Sequence, residues 1–231
     1  MADCGNDRVS VFDPCSGDYL RTVGNGRGSG TGQFFDLTGL LVQSPSVPGG
    51  GYLLYVTDSD NYRVQVFNAS TGIHLQCIGN GRGSGPGQFI GPVGGVVLCP
   101  SQGNRGGGGV GNSLEVFVPD FNNHRVSVFD STTGAFLRHI GVGQLRYPSG
   151  LALSLTGVVS QGGDYLLYVS ETGKKRVQIF NARTGVHVGF LGVGLLNSPN
   201  GLKIYPGSEG KSLLFVSDQG NKKVEVLEVE A

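Results

Sequence analysis

The chain has 231 residues, 38% of them apolar, with 42 glycines, no tryptophan and a single methionine. That length is one large domain or two small ones, and repeat or all-β folds fill it as one. Lysine plus arginine and aspartate plus glutamate number 17 each, so no net field draws the chain to nucleic acid or to an anionic membrane. No apolar run approaches the roughly 18 residues of a membrane span. Asp3 and Asp7 stand where a signal peptide needs a basic start and an apolar stretch, so no membrane association and a cytoplasmic location are expected.

In chain order, residues 3–12 read Asp-x-x-Asn-x-Arg-Val-x-Val-Phe, and a short run at 19–23 follows a Ser-Gly turn. A glycine-rich loop at 24–34 leads to an apolar stretch at 38–42 and another at 52–56. The first motif then returns at 57–67, followed by a run at 74–78 and a near-copy of the glycine loop at 79–89. The series continues with 93–98, 114–118, the motif at 120–129, and 136–140. It closes with 149–153, 165–169, a degenerate motif at 171–180, 187–191, 200–204, 213–216 and a last motif at 218–227. Self-similarity at a spacing of roughly 45–60 residues is the signature of a repeat architecture.

Each repeat resolves into four strands, termed a, b, c and d. Strand b is an apolar run of four to six residues, suited to burial on both faces. Strand c alternates, with Val64 and Val66 facing one way and Arg63, Gln65 and Phe67 the other. The Asx-x-x-Asn turn between b and c uses side-chain oxygens on nearby amides, with Asn tolerating the left-handed region. A Ser/Thr-Gly pair makes the c–d hairpin. No window places apolar residues at helical spacing over three turns, so the chain is read as all β. A lone four-stranded antiparallel sheet cannot bury both of its faces, and radial packing of several sheets solves this as a β-propeller.

The run 58–67, then Thr-Gly, then Cys-Ile-Gly and the Gly-Ser-Gly-Pro-Gly-Gln-Phe at 83–89, resembles the NHL repeat. The resemblance extends over almost the whole chain, and the lack of tryptophan speaks against WD40. It departs from the NHL pattern in long a–b loops (43–51, 100–112, 154–164) and in Glu171-Thr-Gly-Lys174 replacing Asp-x-x-Asn. NHL propellers commonly have six blades, more than these repeats supply. Seventeen strands are legible, one more than four blades use. The reading is therefore a single NHL-like β-propeller domain over 1–231, of four blades, closed by strands from both termini in one blade. Val9–Phe12 and 224–229 compete for one slot in that blade, and an unpaired edge strand invites self-association. Met1 aligns with Val56, in mid-repeat, so the chain reads as an excerpt of a longer one.

Catalytic, cofactor-binding and metal-binding residues are expected to be absent. The a strands, which line a propeller's channel, carry Leu, Gly, Val, Ala and Ser without His or Glu, and a hydrolytic metal needs several convergent ligands. The slot of His74 and His187 also holds Tyr19 and Phe136, so it selects bulk. Cys4, Cys15, Cys77 and Cys99 fit no Cys-x-x-Cys pattern, and Cys77 reads as a small buried thiol. The overlapping Gly-x-Gly patterns of both glycine loops lack the helix and Lys of a phosphate cradle.

The b–c and d–a connections share one face, which collects Arg27, Arg82, Asp60, Asn61, Asn123, His124, Arg146, Tyr147, Lys174 and Lys175 as candidate partner contacts. Arg27 and Arg82 are placed at the tips of mobile loops. The arginine or lysine opening every c strand is assigned to its own turn, given the rarity of unpaired buried charge. The resemblance implies a non-enzymatic binding scaffold presenting this face to a protein or peptide. The alternative is single-stranded RNA, known among NHL-like propellers, although acids interrupt the bases and no aromatic platform is evident.

Overall fold

The structure, a computed structural model, describes residues 1–45, 51–101, 114–155, 165–207 and 211–230. The middle portions of the three long a–b loops lie outside the described residues. Among the described residues there are eighteen strands in five antiparallel sheets. Sheet 1 holds β1 (Ala2–Asp3), β2 (Arg8–Phe12) and β3 (Tyr19–Val23). Sheet 2 holds β4 (Leu37–Gln43), β5 (Leu53–Asp58), β6 (Arg63–Asn68) and β7 (His74–Ile78). Sheet 3 holds β8 (Val97–Pro100), β9 (Leu114–Asp120), β10 (Arg125–Asp130) and β11 (Phe136–Ile140). Sheet 4 holds β12 (Pro148–Leu155), β13 (Tyr165–Glu171), β14 (Arg176–Asn181) and β15 (His187–Leu191). Sheet 5 holds β16 (Pro199–Pro206), β17 (Lys211–Asp218) and β18 (Lys223–Glu230).

The fold is thus an all-β propeller, but it has five blades and not four. The predicted sharing of one blade between the termini does not occur. Each c strand is bound into its own hairpin by the turn before it, so β2 and β18 nucleate separate sheets instead of competing for one. The eighteenth strand is β1, whose two residues pair as Ala2 with Val9 and Asp3 with Arg8. Strand β8 starts later than the apolar pattern suggests. Pro92 makes only an isolated bridge to Asp120, and the Gly94 backbone sits at φ 67° before the ladder resumes.

Side-chain alternation on c sends one set of residues to each neighbouring sheet. Val64, Val66 and Tyr55 of sheet 2 pack with Val116, Val118 and Phe129 of sheet 3. Phe67, Leu54 and Val56 on the opposite face of sheet 2 pack with Val9 and Val23 of sheet 1. Similar clusters join sheets 3 and 4, around Phe117 and Phe180, and sheets 4 and 5, around Tyr168 and Leu214. Close to the axis the backbones themselves touch. A Cβ on Gly39 would lie 1.9 Å from the Gly94 carbonyl oxygen, and one on Gly150 would lie 2.0 Å from that of Asn200. Only glycine permits that approach. The hydroxyls of Thr57 and Ser170 donate across the same seam, to Gly94 and Asn200 carbonyls.

Between sheets 3 and 2, His139 lies against the Phe136 ring at 4.5 Å, with its Nδ1 3.2 Å from the Ser127 hydroxyl. Burial, reinforced by the Arg125 charge, pulls its imidazole down to about 4. The folded state therefore favours the neutral ring. Its contribution is complete above the ordinary value near 6.5 and is lost as pH falls towards 4. The denaturation midpoint of the wild type is expected to decline across that window more steeply than that of His139→Gln, and parallel curves would refute the assignment.

Candidate functional site

The b–c turn, a short 3₁₀ segment in sheets 1 to 4, ends in a left-handed residue, which follows an asparagine in every sheet but the fourth, where it follows Lys174. It is Asp7 in sheet 1, then Tyr62, His124, Lys175 and Lys222 in the sheets that follow, all at φ between 48° and 56°. The asparagine itself binds the acid that opens the turn. Asn61 donates to both oxygens of Asp58, and Asn123 to Asp120 Oδ2. The same Asp58 accepts from Arg63 Nε at 2.8 Å, Gln65 Nε2 at 2.9 Å and the Phe35 amide at 2.8 Å. Glu171 substitutes for it in sheet 4, accepting from Arg176 Nε and Gln178 Nε2.

These networks reach across and hold the glycine loops. Arg63 Nη2 donates to the Gly30 and Gln33 carbonyls, and Asn61 to that of Gly28. In the second loop Arg125 holds the Ser84 and Gln88 carbonyls, and Asn123 that of Gly83. The loop amides are also spent, within the loop and on β6. Gly28 N–H bonds the Phe34 carbonyl, Gly30 N–H bonds Gln33 Oε1, and Gly32 N–H bonds Gln65 Oε1. No free amide cradle for a phosphate is left among these, and the loops are pinned where the sequence suggested mobile tips.

On this scaffold the face carries cation–aromatic pairs that the sequence did not reveal. The Arg27 guanidinium lies 4.3 Å from the Phe35 ring centroid, Arg82 lies 5.6 Å from Tyr62, and Arg146 lies 5.9 Å from Tyr147. Tyr147 is also in contact with Phe121 at 4.9 Å and edge-on to His124 at 4.5 Å. His124 Nδ1 accepts from the Tyr147 amide, which fixes its tautomer with the proton on Nε2. Tyr62 and Phe121 were missed because Arg82–Tyr62 and Phe121–Tyr147 each join residues from two different connections, and Phe35 because Arg27 meets it only when the glycine loop folds back on itself. A left-handed slot filled by Tyr or His was the one available signal.

The other candidates divide. Asn61 and Asn123 are engaged in the turn networks. Asp60 is exposed and stands near Asp36 and Asp7, and Asp36 is raised above the usual carboxylate range by burial, then by the charges of Asp60 and Asp7. Lys174 donates to the Gln144 carbonyl and pairs with Glu171 at 3.4 Å, whereas Lys175 is exposed. The acids collect at sheets 1 and 2 and the lysines at sheet 4, so the face is polar from end to end. The inner strands enclose a cavity of about 370 Å³ lined by Leu40, Val97, Leu151, Leu202, Ile204 and the glycines between them. Among the described residues no group of three His, Cys, Asp or Glu side chains could hold a metal. The four cysteines are free. Cys99 is the buried one and its thiol is pushed up to about 12, while Cys77, expected to be buried, is exposed on the outer strand β7. No helix among the described residues is long and apolar enough to cross a membrane.

No protein-family model matches the chain, and no curated protein is similar to it at a significant level. Solved structures are similar in fold alone. An auxiliary nutrient binding protein from Bacteroides ovatus is 12% identical with a TM-score of 0.61, covering 93% of this chain and 51% of its own. One from Bacteroides thetaiotaomicron is 14% identical with a TM-score of 0.56, covering 86% and 49%. BBS1N, in complex with ARL6DN, is 10% identical with a TM-score of 0.52, covering 98% and 72%. The chain spans about half the length of the two nutrient binding proteins. A Myxococcus xanthus glutaminyl cyclase is 14% identical with a TM-score of 0.48, over 94% of this chain. The fold does not separate catalysts from binding proteins, so the expectation that the chain is not an enzyme is withdrawn. What the fold and its neighbours establish together is a β-propeller.

Proposed function

We propose that the chain is a binding module that presents the b–c and d–a face to a protein or peptide, through repeats of the NHL type. The family reading rests on the five-fold recurrence of the Asp-x-x-Asn-x-Arg-Val-x-Val-Phe run and its variants. The observation that carries the function is the row of arginines on aromatic rings, Arg27 on Phe35, Arg82 on Tyr62 and Arg146 by Tyr147, set on pinned loops. Arginine and aromatic side chains held rigidly contribute most to protein interfaces, and preorganisation lowers the cost of binding. The reading is supported by the similarity in fold to two auxiliary nutrient binding proteins and to BBS1N, which is in complex with ARL6DN. Single-stranded RNA is the second reading, favoured by the same rings as stacking platforms.

Peptides selected from a displayed library on the wild type, with counter-selection on Arg27→Ala/Arg82→Ala/Arg146→Ala, test this. The expected result is a family of acidic and aromatic peptides that bind the triple variant at least about tenfold more weakly. Selected peptides that bind both proteins equally refute the face. An oligouridylate whose affinity exceeds that of every peptide, and falls steeply with salt, decides for the second reading.

A further inference from the structure

On β3, β7 and β11 one side chain reaches over the seam to the neighbouring sheet. Arg21, Gln76 and Arg138 lie opposite Val11, Val66 and Val128 in the same register. The Arg21 guanidinium donates to the Ala69 carbonyl, Gln76 Nε2 to that of Ser131 at 2.8 Å, and Arg138 Nη2 to that of Ala182 at 2.8 Å. Each of these carbonyls belongs to the c–d turn of the next sheet.

Between sheets 3 and 4 the arginine is joined by an acid. Arg138 grips Glu115 with bonds of 2.9 and 2.7 Å, and its guanidinium lies 5.7 Å from the Phe117 ring centroid. Between sheets 2 and 3 both charges are gone. Tyr55 lies opposite Val66 as Phe117 lies opposite Val128, so Leu53 takes the place of Glu115, and the shorter, neutral Gln76 that of Arg138. There a hollow of about 380 Å³ opens, floored by the buried Val66 and walled by Leu53, Leu75 and Leu114, with Gln76 and Thr132 among its polar groups. Every side chain that lines it is uncharged. A concave, largely apolar space of this size with a few polar groups is the form of a small-molecule site.

We propose that this hollow binds a small uncharged molecule, with an apolar ring or chain at one end and a hydroxyl or amide N–H at the other. The aliphatic walls take the apolar body. Gln76 spends its Nε2 on the Ser131 carbonyl, while its Oε1 has no partner among the described residues and is left to accept from the ligand. An ion is the poorer occupant, because no opposite charge lines the hollow and an unpaired buried charge costs far more than a hydrogen-bonded neutral group. The hollow lies at the a–b and c–d end of the sheets, away from the arginine-bearing face, so each reading stands or falls alone.

The test uses the full chain and probes that share one body and differ in charge, namely naphthalenemethanol, naphthoate and naphthylmethylammonium. Saturable binding of the alcohol at one site is expected, at least about tenfold tighter than that of either ion. Leu53→Glu/Gln76→Arg rebuilds the ion pair of the next seam inside the hollow and is expected to weaken the alcohol at least about tenfold. In the wild type the methyl resonances of Val66, Leu75 and Leu114 are expected to shift with the alcohol, while those of Leu151 and Leu202 in the inner cavity stay fixed. This arm needs no variant and decides the matter if the double variant does not fold. Absence of saturation at about 1 mM alcohol, ions that bind as tightly, unchanged affinity for a folded double variant, or shifts confined to the inner cavity overturns the proposal. So does binding seen only after residues 103–111 are removed, because the chain itself then fills the hollow.

Discussion

Asp58→Ala is expected to lower the stability of the protein by about 3–5 kcal/mol, the cost of breaking a buried ion pair by removing one partner. The Asp58 carboxylate is fully buried and receives Arg63, Gln65, Asn61 and the Phe35 amide. Its removal leaves Gln65, also buried, and the largely covered Arg63 guanidinium without their anionic partner. The glycine loop then loses the group that orients its clamp, because Arg63 and Asn61 hold the Gly28, Gly30 and Gln33 carbonyls. Asp58→Asn keeps one acceptor oxygen and is expected to fall between the two. Chemical denaturation monitored by circular dichroism measures the loss, and an unchanged midpoint for Asp58→Ala would mean that the network merely accompanies the turn.

Phe129→Ala is expected to cost about 3–5 kcal/mol, and Phe12→Ala less than about 1.5 kcal/mol, although both residues hold the same place in the repeat. Phe129 is 1% exposed, in ring contact with Phe89 at 5.4 Å and Phe136 at 5.8 Å. Phe12 is 40% exposed and in ring contact with Tyr19. The difference arises because sheet 3 has a neighbour on each side, whereas Phe12 points away from sheet 2. Parallel denaturation of the two variants reads it directly, and equal costs would require a sheet covering Phe12.

Most of the architecture was legible because period-two alternation and the recurring turn are local signals. The strand positions 19–23, 74–78 and 136–140 coincide with β3, β7 and β11. The blade number was not legible. Two residues at Ala2–Asp3 are too short to show a pattern, and assuming that seventeen strands had to close a ring forced both ends into one sheet. The turn chemistry was half legible. Asn61 was seen as the special residue, yet it serves as a donor while Tyr62 takes the left-handed backbone. The Arg82–Tyr62 pair could not be read at all, because a contact between a b–c turn and the following d–a loop depends on how the two fold back. Burial of Cys77 was misjudged because the usual burial of a free thiol was set above its place on strand d, the strand farthest from the channel.

The glycine seam near the axis carries a consequence for how the molecule comes apart. Gly39 and Gly150 lock their strands to the next blade through main-chain contact, but Gly201 of β16 has beside it only the Ser217 hydroxyl of its own sheet. Among the described residues the apolar clusters grip sheets 2, 3 and 4 from two sides and sheets 1 and 5 from one, so the local free energy of opening is graded, as in a linear array of coupled repeats. Fraying starts at the flanks, and the loops of Arg82 and Arg146, between sheets 2 and 4, stay rigid while the ends of the array breathe.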